Sequence, residues 1–195
     1  SFKEAAAAGV TTIGTGPGSA NVVGGTFAAV KTVGTCVDEM IVKEAVAMKC
    51  AFGENPKRCY QGKNNNTRMA TAAKLRELLF KANEYSMKLS EARQDPSKRP
   101  AFDMKLDAML PVVRKQLPLK AHAHRADDIC TAIRIAKEFD LKLTLEHVTE
   151  GQFILPQLQA ANVPLAVGPN LHANSKFEIR NMTFTTPGVL SKAGL

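Results

Sequence analysis

The sequence predicts an α/β fold, with parallel strands and helices packed outside them. Three observations carry this. Short apolar or β-branched runs alternate with longer amphipathic stretches along all 195 residues, the pattern of strands joined by helical crossovers. With 45% hydrophobic and 23% charged residues, the chain has the composition of an ordinary folded domain, long enough to bury one core. Two successive runs end in histidine, His122-Ala123-His124 and Glu146-His147, and chemistry at the C-terminal ends of strands is the habit of a barrel.

The elements follow in order. Residues 1–5 read as the end of a helix. Residues 9–15, Gly-Val-Thr-Thr-Ile-Gly-Thr, form a strand bounded by glycines and run into the turn Gly16-Pro17-Gly18-Ser19. A weaker strand is expected over 30–33 and another over 45–51. Asn55 precedes Pro56, which should lead the chain away in an extended turn. Leu75, Leu78, Leu79, Ala82 and Tyr85 recur at helical spacing, so 67–93 is a long helix, with Thr67 placed to cap it. The polar break 95–100 is expected to be a disordered loop. A helix over 103–116 should be bent or interrupted at Pro111. The second half is more regular: strand 118–124, helix 126–139, strand 141–147, helix 151–161, strand 163–168 and a last helix over 186–193.

A doubly wound nucleotide-binding sheet would need a glycine fingerprint after its first strand. Gly14-Thr15-Gly16-Pro17-Gly18 has the wrong spacing, and Pro17 removes a donor where a phosphate would need one. A partial (β/α)8 TIM-type barrel fits better. The net charge of +8 is spread over several helices without an aromatic-basic module, so no specific nucleic-acid partner is expected. No apolar run reaches the roughly 18 residues of a membrane span. Cys36, Cys50, Cys59 and Cys130 form no CxxC pair and read as reduced thiols, which places the chain in the cytoplasm.

His122 and His124 are two apart in a strand and so share a face, and the neighbouring strand can bring His147 close. Neutral imidazoles are good zinc ligands. Lys49 sits near the end of an earlier strand among apolar residues. An ammonium is costly to bury there, so it needs an acidic partner, exposure or chemical conversion. His172, in a polar loop, reads as structural.

These residues also carry a resemblance that runs through nearly the whole chain. Its segments are 9–13 and 17–21, Met48-Lys49-Cys50-Ala51-Phe52-Gly53-Glu54-Asn55-Pro56-Lys57, Thr67-Arg68-Met69, His122-Ala123-His124-Arg125-Ala126-Asp127-Asp128-Ile129, and 145–151. The chain resembles the amidohydrolase superfamily, in particular bacterial imidazolonepropionases and metal-dependent prolidases. The resemblance implies hydrolysis of C–N bonds in a small amide, cyclic amide or dipeptide, with one or two divalent metal ions, zinc first. It implies His122 and His147 as metal ligands and Lys49 as a third, carboxylated on its amine. His124, Arg125 and Arg68 are candidates for substrate contact, as are Lys176 and the Gly53-Glu54-Asn55 turn.

The family pattern also has a first-strand His-x-His pair and an eighth-strand Asp that acts as general base, and neither occurs in this sequence. A full barrel takes about 250 residues. The expectation is therefore a single incomplete barrel domain over 1–195, approximately strands 2 to 7, lacking the first and last strands, with the base beyond Leu195. Such a fragment should be inactive alone, and should form a homo-oligomer or associate with the rest of its parent chain. The other reading is a non-catalytic barrel relative that binds a ligand or partner.

Overall fold

The computed structural model describes residues 1–60, 62, 67–171 and 175–195. Six strands form one curled half-barrel sheet in sequence order: β1 (Thr12–Thr15), β2 (Val23–Lys31), β3 (Ile41–Ala51), β4 (Leu119–Ala123), β5 (Leu143–His147) and β6 (Leu165–Val167). Strands β3 to β6 are parallel, as the alternating pattern required. Strands β1, β2 and β3 are antiparallel, which departs from an all-parallel barrel. The cause lies in the connections. Parallel neighbours need a crossover of a dozen or more residues, whereas antiparallel ones do not. Helix α1 (Phe2–Ala7) precedes the sheet, α2 (Val37–Met40) and α3 (Glu54–Cys59) flank β3, α4 (Arg68–Glu91) and α5 (Met104–Val113) join β3 to β4, α6 (Ala126–Glu138) joins β4 to β5, and α7 (Leu155–Ala161) joins β5 to β6. Between β2 and β3 there is only the short helix Val37–Met40.

Strand β2 covers nine residues, far more than the weak strand expected over 30–33. Gly24 and Gly25 hid its first half, because glycine lowers strand propensity. Their role is close approach: a Cβ on Gly24 would lie 2.9 Å from Pro17 Cβ, and one on Gly25 would lie 3.2 Å from Pro17 Cγ. The register shifts between Val23 and Gly25, where the strand bulges.

Other local differences have simple causes. Residues 2–7 are a short helix, with Ser1 and Glu4 forming a capping box. Residues Glu54–Cys59 form a helix instead of an extended turn. Pro56 falls in its first turn, where a backbone N–H has no partner to lose. In the 95–100 break, Asp95 accepts from the Ser97 N–H at 3.1 Å and its hydroxyl at 2.6 Å, which closes the turn Pro96–Lys98. Pro111 lies in the last turn of α5, which ends two residues later. The stretch 151–161 splits into a 3-10 turn, Gly151–Phe153, and α7.

The core lies between the sheet and the outer helices. Met48, Cys50, Leu119, Ala121, Ala123, Leu143 and Leu145 meet Leu75, Leu79 and Ala82 of α4 and Ile129, Ala132 and Ile135 of α6. Each leucine buried this way contributes roughly 1.5–3 kcal/mol. Among the described residues no helix is long and apolar enough to cross a membrane.

Candidate metal centre

The alternate residues of β3, β4 and β5 face the other way, into the hollow of the curled sheet. Pairing places Lys49 beside Lys120 and Thr144, and Ala51 beside His122 and Glu146. His124 follows β4 by one residue and keeps the side of His122. His147 is different. It pairs with Ala123, a core residue on the helix side of the sheet. Its φ of 74° and that of Val148, 49°, turn the chain and bring its ring back to the mouth.

The three imidazoles converge there. Ring centroids are 4.8 Å apart for His122 and His124, 4.5 Å for His122 and His147, and 4.6 Å for His124 and His147. One nitrogen from each lies within 4.8 Å of the others. His147 Nδ1 donates to the Gly168 carbonyl at 2.6 Å, so its Nε2 keeps a free lone pair. His124 Nδ1 is 2.7 Å from the Thr149 hydroxyl. Among the described residues His122 Nδ1 is buried and has no hydrogen-bond partner. The rings open on a cavity of about 280 Å³, also lined by Asn55, Ser175 and Lys176.

The electrostatics favour neutral rings. Burial comes first in pushing His122 down to about 4, against the opposing effect of Glu178. Burial, then the charge of Lys176, takes His124 to about 2. Burial also lowers His147, opposed by the Gly168 carbonyl. At neutral pH all three therefore offer lone pairs. Three neutral imidazoles brought together at one cavity are a set of groups that could bind a metal ion.

Lys49 is buried and forms an ion pair with Glu146, whose other oxygen takes Lys120 Nζ at 2.9 Å. Of the three ways to accommodate that ammonium, the structure shows the acidic partner. Phe27 lies under both lysines, 5.5 and 5.4 Å from Nζ to the ring centroid. Burial works to raise the pKa of Glu146, but the two lysines outweigh it and hold the carboxyl below its usual range.

The arginines stand apart from the histidine cavity. Arg125 forms two 2.9 Å bonds with Asp127, two residues on. Arg68 Nε binds Asp128 at 3.0 Å, and its Nη2 lies 4.0 Å from Glu178. Lys176 and Asn55 do reach the cavity, bonded to each other at 3.2 Å. His172 lies outside the described residues.

Glu178 is the residue that sequence reasoning missed. It is fully buried, 3.8 Å from His122 Nε2 and 3.9 Å from His124 Nε2. Burial works to raise its pKa, but His122, Lys176 and the Glu54 N–H outweigh this and leave it well below the carboxylate range. No motif surrounds it. The available signal was the neighbouring Lys176, already a candidate.

Comparison with known proteins adds to this geometry. No family model matches the chain, and no curated protein matches it. A solved structure of an amidohydrolase from Thermotoga maritima MSB8 matches over 100% of the chain, with a TM-score of 0.95 and 41% sequence identity. The chain is similar to an amidohydrolase. It covers 51% of that protein, so it spans about half the amidohydrolase's length. At this identity the likeness extends beyond fold, and the three histidines give the chain a set of groups that could hold a metal ion.

Proposed function

We propose that this chain carries the metal-binding mouth of an amidohydrolase that cleaves C–N bonds in small amides, cyclic amides or dipeptides. The observation behind it is the convergence of His122, His124 and His147, three neutral imidazoles from two adjacent strand ends, on one cavity. These three residues would hold a divalent ion, zinc by donor type. The ion supplies Lewis acidity, polarising a scissile carbonyl and lowering the pKa of water.

The chain's own residues do the rest. Gly168 and Thr149 fix the His147 and His124 rings from behind, as partners of metal-bound histidines do. Asn55, Ser175 and Lys176 line the wall that a substrate would touch. Lys49 has a further role in this proposal. Once its ammonium has given up a proton, Lys49 Nζ could add CO2 and release a second proton to form a carbamate, which would be an oxygen donor for a second ion and would no longer pair with Glu146. A mass increase of one CO2 on Lys49, with metal content rising in bicarbonate, tests that step.

The isolated chain is expected to show little turnover, so metal binding is the first test. In chelator competition the protein should take up zinc, and His122→Asn combined with His147→Asn should abolish uptake. Unchanged zinc affinity in that double variant overturns the proposal. Release of amine from a panel of amides and dipeptides, lost on chelation and restored by zinc, then tests the reaction class on the full-length protein.

A further inference from the structure

A second cavity lies at the far end of α4 from the histidines. Helix α4 starts at Arg68, which is bonded to Asp128 near the site, and its 24 residues carry the chain about 35 Å away. There the end of α4, the 95–100 turn and α5 enclose a cleft of about 680 Å³. Small-molecule sites fall in the range of roughly 300–1,000 Å³. Much of the wall is apolar, with Leu89, Leu110, Phe102 and the ring of Tyr85. The rim is shaped in advance, because Asp95 caps the turn Pro96–Lys98 and both Pro96 and Pro100 line the cleft.

Three arginines line this cleft, Arg93, Arg99 and Arg114, against one carboxylate, Asp107, so the lining carries a charge of +2 (three less one). Among the described residues the side chains of Arg93 and Arg99 form no ion pair or hydrogen bond, and Arg114 donates only from Nε, to Ser86 Oγ at 3.1 Å. Asp107 pairs with none of them. Two neighbouring acids are engaged elsewhere: Asp95 accepts from Ser97, and Asp103 accepts from the N–H groups of Lys105 and Leu106. The Tyr85 ring is buried, and its hydroxyl has no hydrogen-bond partner among the described residues. Phe102, in the same wall, is 74% exposed. A large aromatic ring left in water beside unpaired guanidinium groups is a surface with something to gain from a partner.

We propose that this cleft binds a small phosphate ester with an aromatic or apolar body. Guanidinium N–H forks match the oxygens of a phosphate. A phosphate monoester carries roughly −1.5 to −2 at pH 7, enough to engage more than one of them. A body seated on Phe102, Leu89 and Leu110 takes the exposed ring out of water, and the Tyr85 hydroxyl is a further donor. Asp107 opposes the anion, and offers an acceptor to a hydroxyl or amine elsewhere on the ligand. A cleft of this size holds one small ester, whereas single-stranded nucleic acid needs a positive groove that tracks several nucleotides. The proposal does not depend on the metal-binding reading.

Calorimetric titration of the full-length protein with phenyl phosphate, inorganic phosphate and phenol tests both halves of the proposal. Phenyl phosphate should bind one to one, inorganic phosphate about 10-fold more weakly, and phenol not measurably. Arg93→Gln combined with Arg99→Gln should lower affinity for phenyl phosphate about 10- to 100-fold. Phe102→Ala should weaken phenyl phosphate and leave inorganic phosphate unchanged. All three side chains are exposed, so folding and zinc uptake by chelator competition should match wild type in both variants. No saturable binding of phenyl phosphate overturns the proposal, as does an Arg93→Gln, Arg99→Gln protein that binds it like wild type. Equal affinity for inorganic phosphate and phenyl phosphate overturns the apolar half. A single-stranded oligonucleotide that displaces phenyl phosphate at far lower concentration, with affinity falling steeply in salt, would make this a nucleic-acid surface and overturn the small-ester assignment.

Discussion

The two faces of the β3–β5 sheet are built to opposite rules. The outer face presents Met48, Cys50, Leu119, Ala121, Ala123, Leu143 and Leu145, all in the core under the helices. The inner face presents Lys49, Lys120, His122, Thr144 and Glu146, with Ala51 among them. The outer face is stabilised by the apolar area and volume it buries. The inner face removes charge and polarity from water, and each group needs a partner to offset the loss. Lys49 and Lys120 share Glu146, and Glu178 is held by Lys176 and a backbone N–H. Burial even reaches the thiol between them: Cys50, on the outer face next to Lys49, is pushed up to about 12 and stays a neutral core group. The face is polar where it could have been apolar, its charges are paired, and among the described residues His122 Nδ1 and Thr144 Oγ1 are left without a hydrogen-bond partner.

The contrast can be broken from either side. On the outer face, Leu145→Ala removes a fully buried side chain and should cost about 2–5 kcal/mol, read as a drop in urea midpoint with unchanged slope. Zinc affinity in the surviving folded fraction should stay within a few-fold of wild type, and a large loss would mean the two faces are not separable. On the inner face, Glu146→Ala leaves Lys49 buried without its acid. Breaking a buried pair costs about 3–5 kcal/mol, and since Glu146 is partly solvated the expected loss is about 2 kcal/mol in the same titration. Lys49→Met combined with Glu146→Leu should recover part of it, because the two apolar groups need no pairing while Lys120, partly exposed, still loses its acid. A double variant as unstable as Glu146→Ala would show that the pair itself is not what the inner face depends on.

Legibility divides along the chain more than between the faces. From 118 onward the strands and helices announce themselves by period and length: β4, α6, β5 and β6 fall inside the expected spans, and α7 takes the second part of 151–161. Strand β2 does not, because Gly24-Gly25 and Ala28-Ala29 dilute a nine-residue strand that tertiary pairing enforces. At the site, the convergence of the histidines was readable from spacing, but the way His147 arrives was not. Strict alternation puts His147 on the outer face, and a left-handed turn through His147 and Val148 reverses it. A β-branched residue at φ 49° is an outlier that surrounding structure must impose, and such backbone gathers at functional sites. Glu178 was unreadable for another reason. It is 124 residues from its partner Glu54, and nothing local marks it.

The inner face should also be the acid-sensitive one. His122 has a folded pKa of about 4 and His124 about 2, both below the unfolded value of about 6.5. The unfolded chain therefore binds protons first. The stability tied to neutral rings is complete above pH 6.5 and is lost progressively as pH falls toward 4. Glu178, also depressed, adds a loss of the same sign below its ordinary carboxylate range. Melting temperature measured with chelator present should fall across that window. His122→Asn should flatten the upper part, and an equal slope in that variant would place the sensitivity elsewhere.

The smallest expected effect isolates one contact on the inner face. Thr149→Val keeps the volume of the side chain and removes the hydroxyl that lies 2.7 Å from His124 Nδ1. With Nε2 turned to the cavity, Nδ1 carries the proton, and in the variant that N–H has no acceptor in a buried place. Leaving one neutral donor unsatisfied costs about 1–3 kcal/mol, and the lower end is expected because the ring can tilt. The ring can tilt only by losing its aim, so zinc affinity should fall about 10-fold, as for other groups that orient a metal-bound histidine. Thr149→Ser restores the hydroxyl and should restore affinity, although it removes a methyl group and leaves part of the stability loss. Affinity that follows the hydroxyl while stability follows the methyl group would separate what aims the ligand from what packs the core. Affinity unchanged in Thr149→Val would mean that His124 needs no orientation from behind.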